Sequence, residues 1–504
     1  MEKHAKYRST YQPTTLYWGL GIEHEVYLEL GTTQTIPTTY LNTNRKPERY
    51  SHDYIRQSYK TGVYEAAVNE WIQHATETST MVVPLLMKSH SFFKTDVHNE
   101  HETIYSKTTP PNPKFSGKTL LESLQAVDPY FVETLGKEWV FDGDTIEFNT
   151  LGFFNTTLDD VLEELAKTEQ AFVQHLNAAL AAIPDKHPLL STHVQMMRKN
   201  HAFAMYLTNP SHVNMFNNGT LHFNLTLPTQ LDASCNIVDL DDFVQQHKRA
   251  IHAIQWLEPL LVAAYGAPDP FSALENMPHC FSKASQRCAV SRYIGLGTYD
   301  TDTMSTGKCN TIPSPRHADQ RWFPLTYLKL PEMGLDINFR KHYNHGIELR
   351  CLDHIQDPAD MREVWILLIH LMDLVLDSQT GFLTKPTSLP VWIELTRQCM
   401  VYGPTYVLTK DHMRTLQDVL EMSAIGKGKD IRAVLLECRR QWTLRFHRME
   451  KRDGAWWLIP VGGFSQYVLE PRPLDPNNDA ELMRNMLVDA IAAQCSAQTC
   501  CHVS

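Results

Sequence analysis

Gly346-Ile347-Glu348-Leu349-Arg350-Cys351-Leu352-Asp353 alternates with a period of two, the spacing of a β-strand whose faces differ. Ile347, Leu349 and Cys351 fall on one side. Glu348 and Arg350 fall on the other, their roots roughly 7 Å apart by strand rise. A single charged pair of this kind is most often a solvated one. Three further stretches repeat the layout, and together they outweigh that bland reading. Gly21-Ile22-Glu23-His24-Glu25-Val26-Tyr27-Leu28-Glu29-Leu30 puts Glu23, Glu25, Tyr27 and Glu29 on one face, with Ile22, His24, Val26, Leu28 and Leu30 opposite. After a turn signal at Asp142-Gly143, Thr145-Ile146-Glu147-Phe148-Asn149 sets Glu147 against Ile146 and Phe148. Thr220-Leu221-His222-Phe223-Asn224-Leu225-Thr226-Leu227 separates four apolar residues from Thr220, His222, Asn224 and Thr226.

Four strands that share this layout make a bowl lined by carboxylates, one imidazole, one amide and one guanidinium. Such a donor set suits hard divalent cations, Mg²⁺ or Mn²⁺. Zinc favours thiols and more than one histidine, which the polar faces lack. Mg²⁺ shares its coordination with phosphates, so the bowl reads as a nucleotide-triphosphate site with Arg350 placed to stabilise a transferring phosphoryl group. Arg287 and Arg292 shortly precede Gly295-Leu296-Gly297 and are further candidates for phosphate or substrate carboxylate. Salt-bridged loop arginines are the competing reading. No Walker A or kinase glycine-rich pattern is present.

The 504 residues can bury a large core, with 43% hydrophobic and 20% charged residues. A formal charge of −11 without a basic stripe argues against nucleic acid as a partner, without forbidding a local anion site. Ten cysteines without a CxxC pair suggest a reducing compartment rather than a disulfide framework or a zinc ribbon. Without an apolar leader or a run of membrane length, the expectation is a cytoplasmic protein with no membrane partner.

Along the chain, residues 1–15 read as a flexible lead and 98–118, with three prolines, as a loop. Thr157 with Asp160 resembles a capping box opening a long helix, and a second helix runs from Asp241 to near Gly266. A third covers Ala359 to Leu376. Beyond about 380 the pattern is mostly helical, with a basic amphipathic segment over 410–450.

The ordered set of motifs resembles the glutamate–cysteine ligases and related carboxylate–amine ligases (amidoligases). Gly21-Ile22-Glu23-His24-Glu25 is similar to their opening G-[IV]-E-x-E strand. Asp144-Thr145-Ile146-Glu147-Phe148-Asn149-Thr150 resembles their second acidic strand. Thr220-Leu221-His222-Phe223-Asn224 resembles the strand ending H-[VIF]-[HN], and Ile347-Glu348-Leu349-Arg350-Cys351-Leu352-Asp353 the E-x-R-x-x-D strand. Each motif is short; their order over roughly 16–376 is the specific feature. The resemblance implies an α+β, glutamine-synthetase-like fold: a curved, mainly antiparallel sheet with helices on its convex side. Its catalytic domain would span 16–378 with an insertion at about 31–135, followed by a helical region over 379–504 packed on it. It implies ATP with Mg²⁺, attack of a substrate carboxylate on the γ-phosphate, and displacement of phosphate by an amine. Glu23, Glu25, Glu147, His222 and Glu348 would hold metal. Arg350 would contact the γ-phosphate, with Glu348 and Arg350 at the reacting centre. Asn224, Arg287 and Arg292 would contact nucleotide or substrate, although Asn224 stands where the family has a second histidine. A guanidino-kinase-like phosphotransferase and a non-catalytic binding protein are the alternatives.

Overall fold

The four alternating stretches fold as strands of one sheet. The computed structural model describes residues 8–9, 11–14, 16–30, 84–85, 87, 120–142, 145–184, 193–197, 220–268, 284–285, 299–302, 305–306, 337–340, 346–355, 357–378, 381–423 and 429–488. The first part of the chain supplies β1 (Leu16–Val26), β2 (Leu28–Leu30), β3 (Pro84–Leu85), α1 (Leu120–Val127) and α2 (Tyr130–Glu133). Then come β4 (Trp139–Asp142), β5 (Thr145–Asn149), α3 (Leu158–Ala182), β6 (Val194–Met196), β7 (Thr220–Gln230) and α4 (Leu240–Tyr265). The short strands β8 (Tyr299–Asp300), β9 (Ser305–Thr306) and β10 (Ile337–Phe339) precede β11 (Ile347–Asp353) and α5 (Pro358–Asp377). The C-terminal part holds α6 (Pro390–Tyr402), α7 (Lys410–Val419), α8 (Ile431–Phe446), β12 (His447–Arg452), β13 (Ala455–Pro460), α9 (Ser465–Val468) and β14 (Arg472–Pro473).

The main sheet has the order β10-β11-β7-β1-β5-β4, and every pairing in it is antiparallel. The chain is therefore α+β, built on an open antiparallel sheet. Its apolar face carries Leu20, Ile22, Phe148, Leu221, Phe223 and Leu349, each at most 1% exposed. Trp365 of α5 meets Phe223 edge-on at 4.6 Å. Phe172 of α3 sits among Trp139, Phe148 and Phe131 at 5.0 to 5.8 Å. The expected capping box holds, with Thr157 and Asp160 each accepting from the other's backbone N–H. His24, the one polar residue on the apolar row of β1, is paired: Nδ1 lies 2.6 Å from Glu169 of α3 and Nε2 3.0 Å from His354.

The alternation expected of the β11 stretch breaks once. Ile347, Glu348 and Leu349 pair with Leu225, Asn224 and Phe223, but Leu352 pairs with Leu221. One extra residue is thus accommodated across Arg350 and Cys351 opposite His222. It is a β-bulge, and Leu352 rather than Cys351 takes the next position opposite an apolar partner.

Helix α4 is buried all round from Ala250 to Tyr265, as expected of a helix lying between two layers. It packs against β7 and β11 on one side and against α5, α6 and α8 elsewhere. Residues 120–135, the end of the span read as an insertion, contribute Leu120, Leu124 and Phe131 to the same core. The C-terminal region is helical through α8, but His447–Pro460, partly inside the segment read as helix, is a hairpin. Its turn at Asp453-Gly454 adopts positive φ at both residues, the backbone that an Asp-Gly pair favours.

Candidate functional site

On the other face of the sheet, β-pairing brings together residues far apart in sequence. Glu23 is opposite His222, Asn224 opposite Glu348, and Glu25 opposite Glu147. Directly paired residues share a face with Cβ atoms about 4.5–5.5 Å apart. Six sequence-predicted residues thus converge by register alone, and Arg350 follows Glu348 along β11.

His222 is the hub. Its Nδ1 lies 2.9 Å from Glu23 Oε2 and 3.7 Å from Glu348 Oε1, and its Nε2 lies 3.5 Å from Glu25 Oε1. Asn224 Nδ2 donates to Glu23 Oε1 at 3.3 Å. Arg350 Nε is 3.8 Å from Glu348 Oε1, its side chain 20% exposed. His222, Glu25 and Glu348 are buried, whereas Glu23 is half-buried. Three carboxylates around one imidazole, largely out of water, repel one another unless a cation joins them.

Glu147 joins the row through its place opposite Glu25. Arg287 and Arg292 lie outside the described residues. Glu29 leaves the row: β2 belongs to a small sheet with β3 and β6. There Glu29 accepts from Gln195 at 2.7 Å. Burial raises its carboxyl above the ordinary range, against the lowering effect of that bond.

Two features were missed by the sequence reading. Asn338 of β10, opposite Glu348, donates from Nδ2 to Glu348 Oε2 at 2.5 Å. It engages one carboxylate oxygen and leaves Oε1 toward His222. Gly21 lies opposite Asn224, and a Cβ there would stand 2.1 Å from the Phe153 ring. The missing side chain lets Phe153 press on the sheet beside the polar cluster. The only signal was Gly21 itself, two residues before Glu23.

Single ligand atoms of Glu23, His222 and Glu348 all lie within 4.8 Å of one another. Around a hard cation with bonds of about 2.1 Å, ligands sit roughly 3 to 4.2 Å apart. The oxygen-rich, thiol-free donor set and its spacing therefore fit Mg²⁺ or Mn²⁺ after a small contraction.

A viral protein, "Uncharacterized protein R704" of Acanthamoeba polyphaga mimivirus, is 36% identical over 417 residues, 81% of this chain and 71% of the viral one. This chain belongs to the same family as R704. No family model and no solved structure matches the chain. The R704 family carries no activity in its name, so the chemistry of the site rests on its residues. Among the described residues, no helix is long and apolar enough to cross a membrane.

Proposed function

We propose that the chain is an ATP- and Mg²⁺-dependent ligase that joins a substrate carboxylate to an amine through an acyl phosphate, on a glutamine-synthetase-like sheet. The carboxylate would be that of glutamate or a similar amino acid. The observation that carries the reading is the convergence of Glu23, His222 and Glu348, with Glu25, Asn224 and Arg350, on one sheet face. The order of the four motifs supports it as well.

In this reading Glu23, Glu25, Glu147, His222 and Glu348 hold the metal, which when bound draws triphosphate charge into an acidic bowl. The chain's own groups do the rest. Asn338 fixes Glu348, so that Oε1 is presented to the cluster at little further entropic cost. Asn224 fixes Glu23 in the same way. Arg350, half-buried beside Glu348, donates to a phosphoryl oxygen as charge develops there, and its partial burial strengthens that bond. Burial around His222 and Glu348 excludes water that would hydrolyse an acyl phosphate.

Positional isotope exchange tests the reading. Scrambling of the β,γ-bridge oxygen of ATP that depends on a carboxylate, without amine, is the expected result. If no carboxylate promotes scrambling or ADP release while a guanidino compound becomes phosphorylated, the sheet serves a phosphotransferase instead.

A further inference from the structure

We propose that a cavity on the outer side of α5 binds a small organic cation bearing a primary ammonium group. The cavity, about 970 Å³, opens between α5, α8, the β13–β14 strands and the helical residues 480–488. That volume is in the range of ligand pockets. It is separate from the polar face of the sheet: α5 presents Trp365 to Phe223 on the apolar face, while Glu363, Ile366 and His370 line the cavity.

The wall selects the sign of the occupant. Four arginines stand against six carboxylates, which leaves a net charge of −2. The arginines are already engaged: Arg362 with Asp159, Arg439 with Glu363, Arg440 with Glu437, and Arg472 with Asp479. An anion would have to break these pairs. A cation would not.

Two buried atoms select its chemistry. Glu363 gives one oxygen to Arg439, while Oε1 has no hydrogen-bond partner among the described residues. Its side chain is 13% exposed. His447 is 8% exposed, and its Nδ1 makes no hydrogen bond of normal geometry, although the Thr443 carbonyl lies by the ring. Burial keeps the His447 ring neutral, its pKa held down to about 3, so Nδ1 is available as an acceptor in one tautomer. Burying unsatisfied acceptors costs about 1–3 kcal/mol each. A group that offers donors only, with positive charge, relieves such a cost, and a primary ammonium is the most compact organic group of that kind.

The test uses the full chain with spermidine as probe and tetramethylammonium, a cation without N–H donors, as control at equal ionic strength. Spermidine is expected to raise the thermal midpoint saturably, and tetramethylammonium is not. Glu363→Gln is expected to weaken spermidine about tenfold, the worth of one charge-assisted bond. His447→Gln gives a second reading of the same site, with a smaller expected loss, should the first variant fail to fold. Glu348→Ala, on the sheet, leaves spermidine affinity unchanged, so failure of the ligase reading does not touch this one. A saturable shift that both cavity variants retain, that tetramethylammonium reproduces, or that Glu348→Ala removes would overturn the proposal. So would the absence of any saturable shift, which would mean that water alone satisfies these atoms.

Discussion

The polar face of the main sheet and the cavity outside α5 are both lined with charge, and they handle it in opposite ways. On the sheet, Glu23, Glu25 and Glu348 crowd His222, with Arg350 the nearby guanidinium at 3.8 Å from Glu348. Outside α5, arginines alternate with acids, as in Arg362–Asp159 at 2.5 Å and Arg472–Asp479 at 2.8 Å. The paired wall satisfies its arginines and leaves Glu363 Oε1 and His447 Nδ1 for an occupant. Like charges crowded about His222 repel one another, a cost that a bound cation would offset. The two regions thus suit different occupants in the readings proposed above, a metal cation on the sheet and an organic cation outside α5.

The sharpest way to break this contrast is to remove one acid from the cluster. Glu23→Ala or Glu348→Ala is expected to lower Mg²⁺-dependent ATP turnover by at least about a hundredfold. The apo protein should keep its fold and melt no lower than wild type, because like charges have been relieved. Mg²⁺ at about a hundred times its Kd should add about 2.7 kcal/mol to wild-type stability and little to Glu348→Ala. Unchanged turnover in both variants would remove the metal assignment.

Protons address the helix side as cations address the sheet. Burial, with help from His370 and Arg472, holds His447 down to about 3. Burial likewise holds His247 at about 4, where Nδ1 donates to the Phe243 carbonyl and Nε2 accepts from Leu227 N–H. The unfolded chain protonates these rings at about pH 6.5, so stability falls below that pH until the folded rings titrate. The expected loss between pH 7.5 and pH 5 is about 4 kcal/mol for the two rings together. Urea midpoints at the two pH values measure it. His447→Gln should remove about half of the slope, and a slope unchanged in that variant contradicts the assignment.

A steric test comes next. Gly21→Ala places a methyl carbon into the Phe153 ring. It should cost about 1–3 kcal/mol, as overpacking does, read from the denaturant midpoint. Phe153→Ala together with Gly21→Ala should recover part of that loss. The smallest effect sharpens the role of β10: Asn338→Ala should weaken Mg²⁺ about tenfold with little change in apo melting. An equal loss of apo stability would make Asn338 structural only.

The sheet was legible because its strands alternate cleanly, and residues such as Leu221 and Phe223 have no polar competitor on their face. The cluster followed from that alternation, since antiparallel pairing of Glu23 with His222 and of Glu348 with Asn224 puts polar rows side by side. The bulge at Arg350 and Cys351 was not legible: cysteine is small and apolar, and continues the expected pattern whether or not a residue is inserted. Asn338 gave no signal either, as one amide between Ile337 and Phe339 reads as any edge strand. The hairpin after α8 did carry a signal, Asp453-Gly454 between alternating residues, but the basic helical run before it masked the change of period. The cavity was invisible because no local pattern specifies how α5 and α8 approach.

The strand order has a consequence for how the chain is made. β1 lies at the centre of the sheet between β7 and β5, yet β7 begins at Thr220. At about 5–20 residues per second of synthesis, roughly 10–40 s separate the emergence of β1 from that of its main partner. The hairpin of β4 and β5 emerges first and gives β1 one neighbour over Glu23 to Val26; the other edge stays open until Thr220 follows. Sheets closed by such distant pairings fold slowly. The nascent chain thus spends this interval with an amphipathic strand exposed, and its yield in a cell depends on what shields that edge until the two ends of the sheet meet.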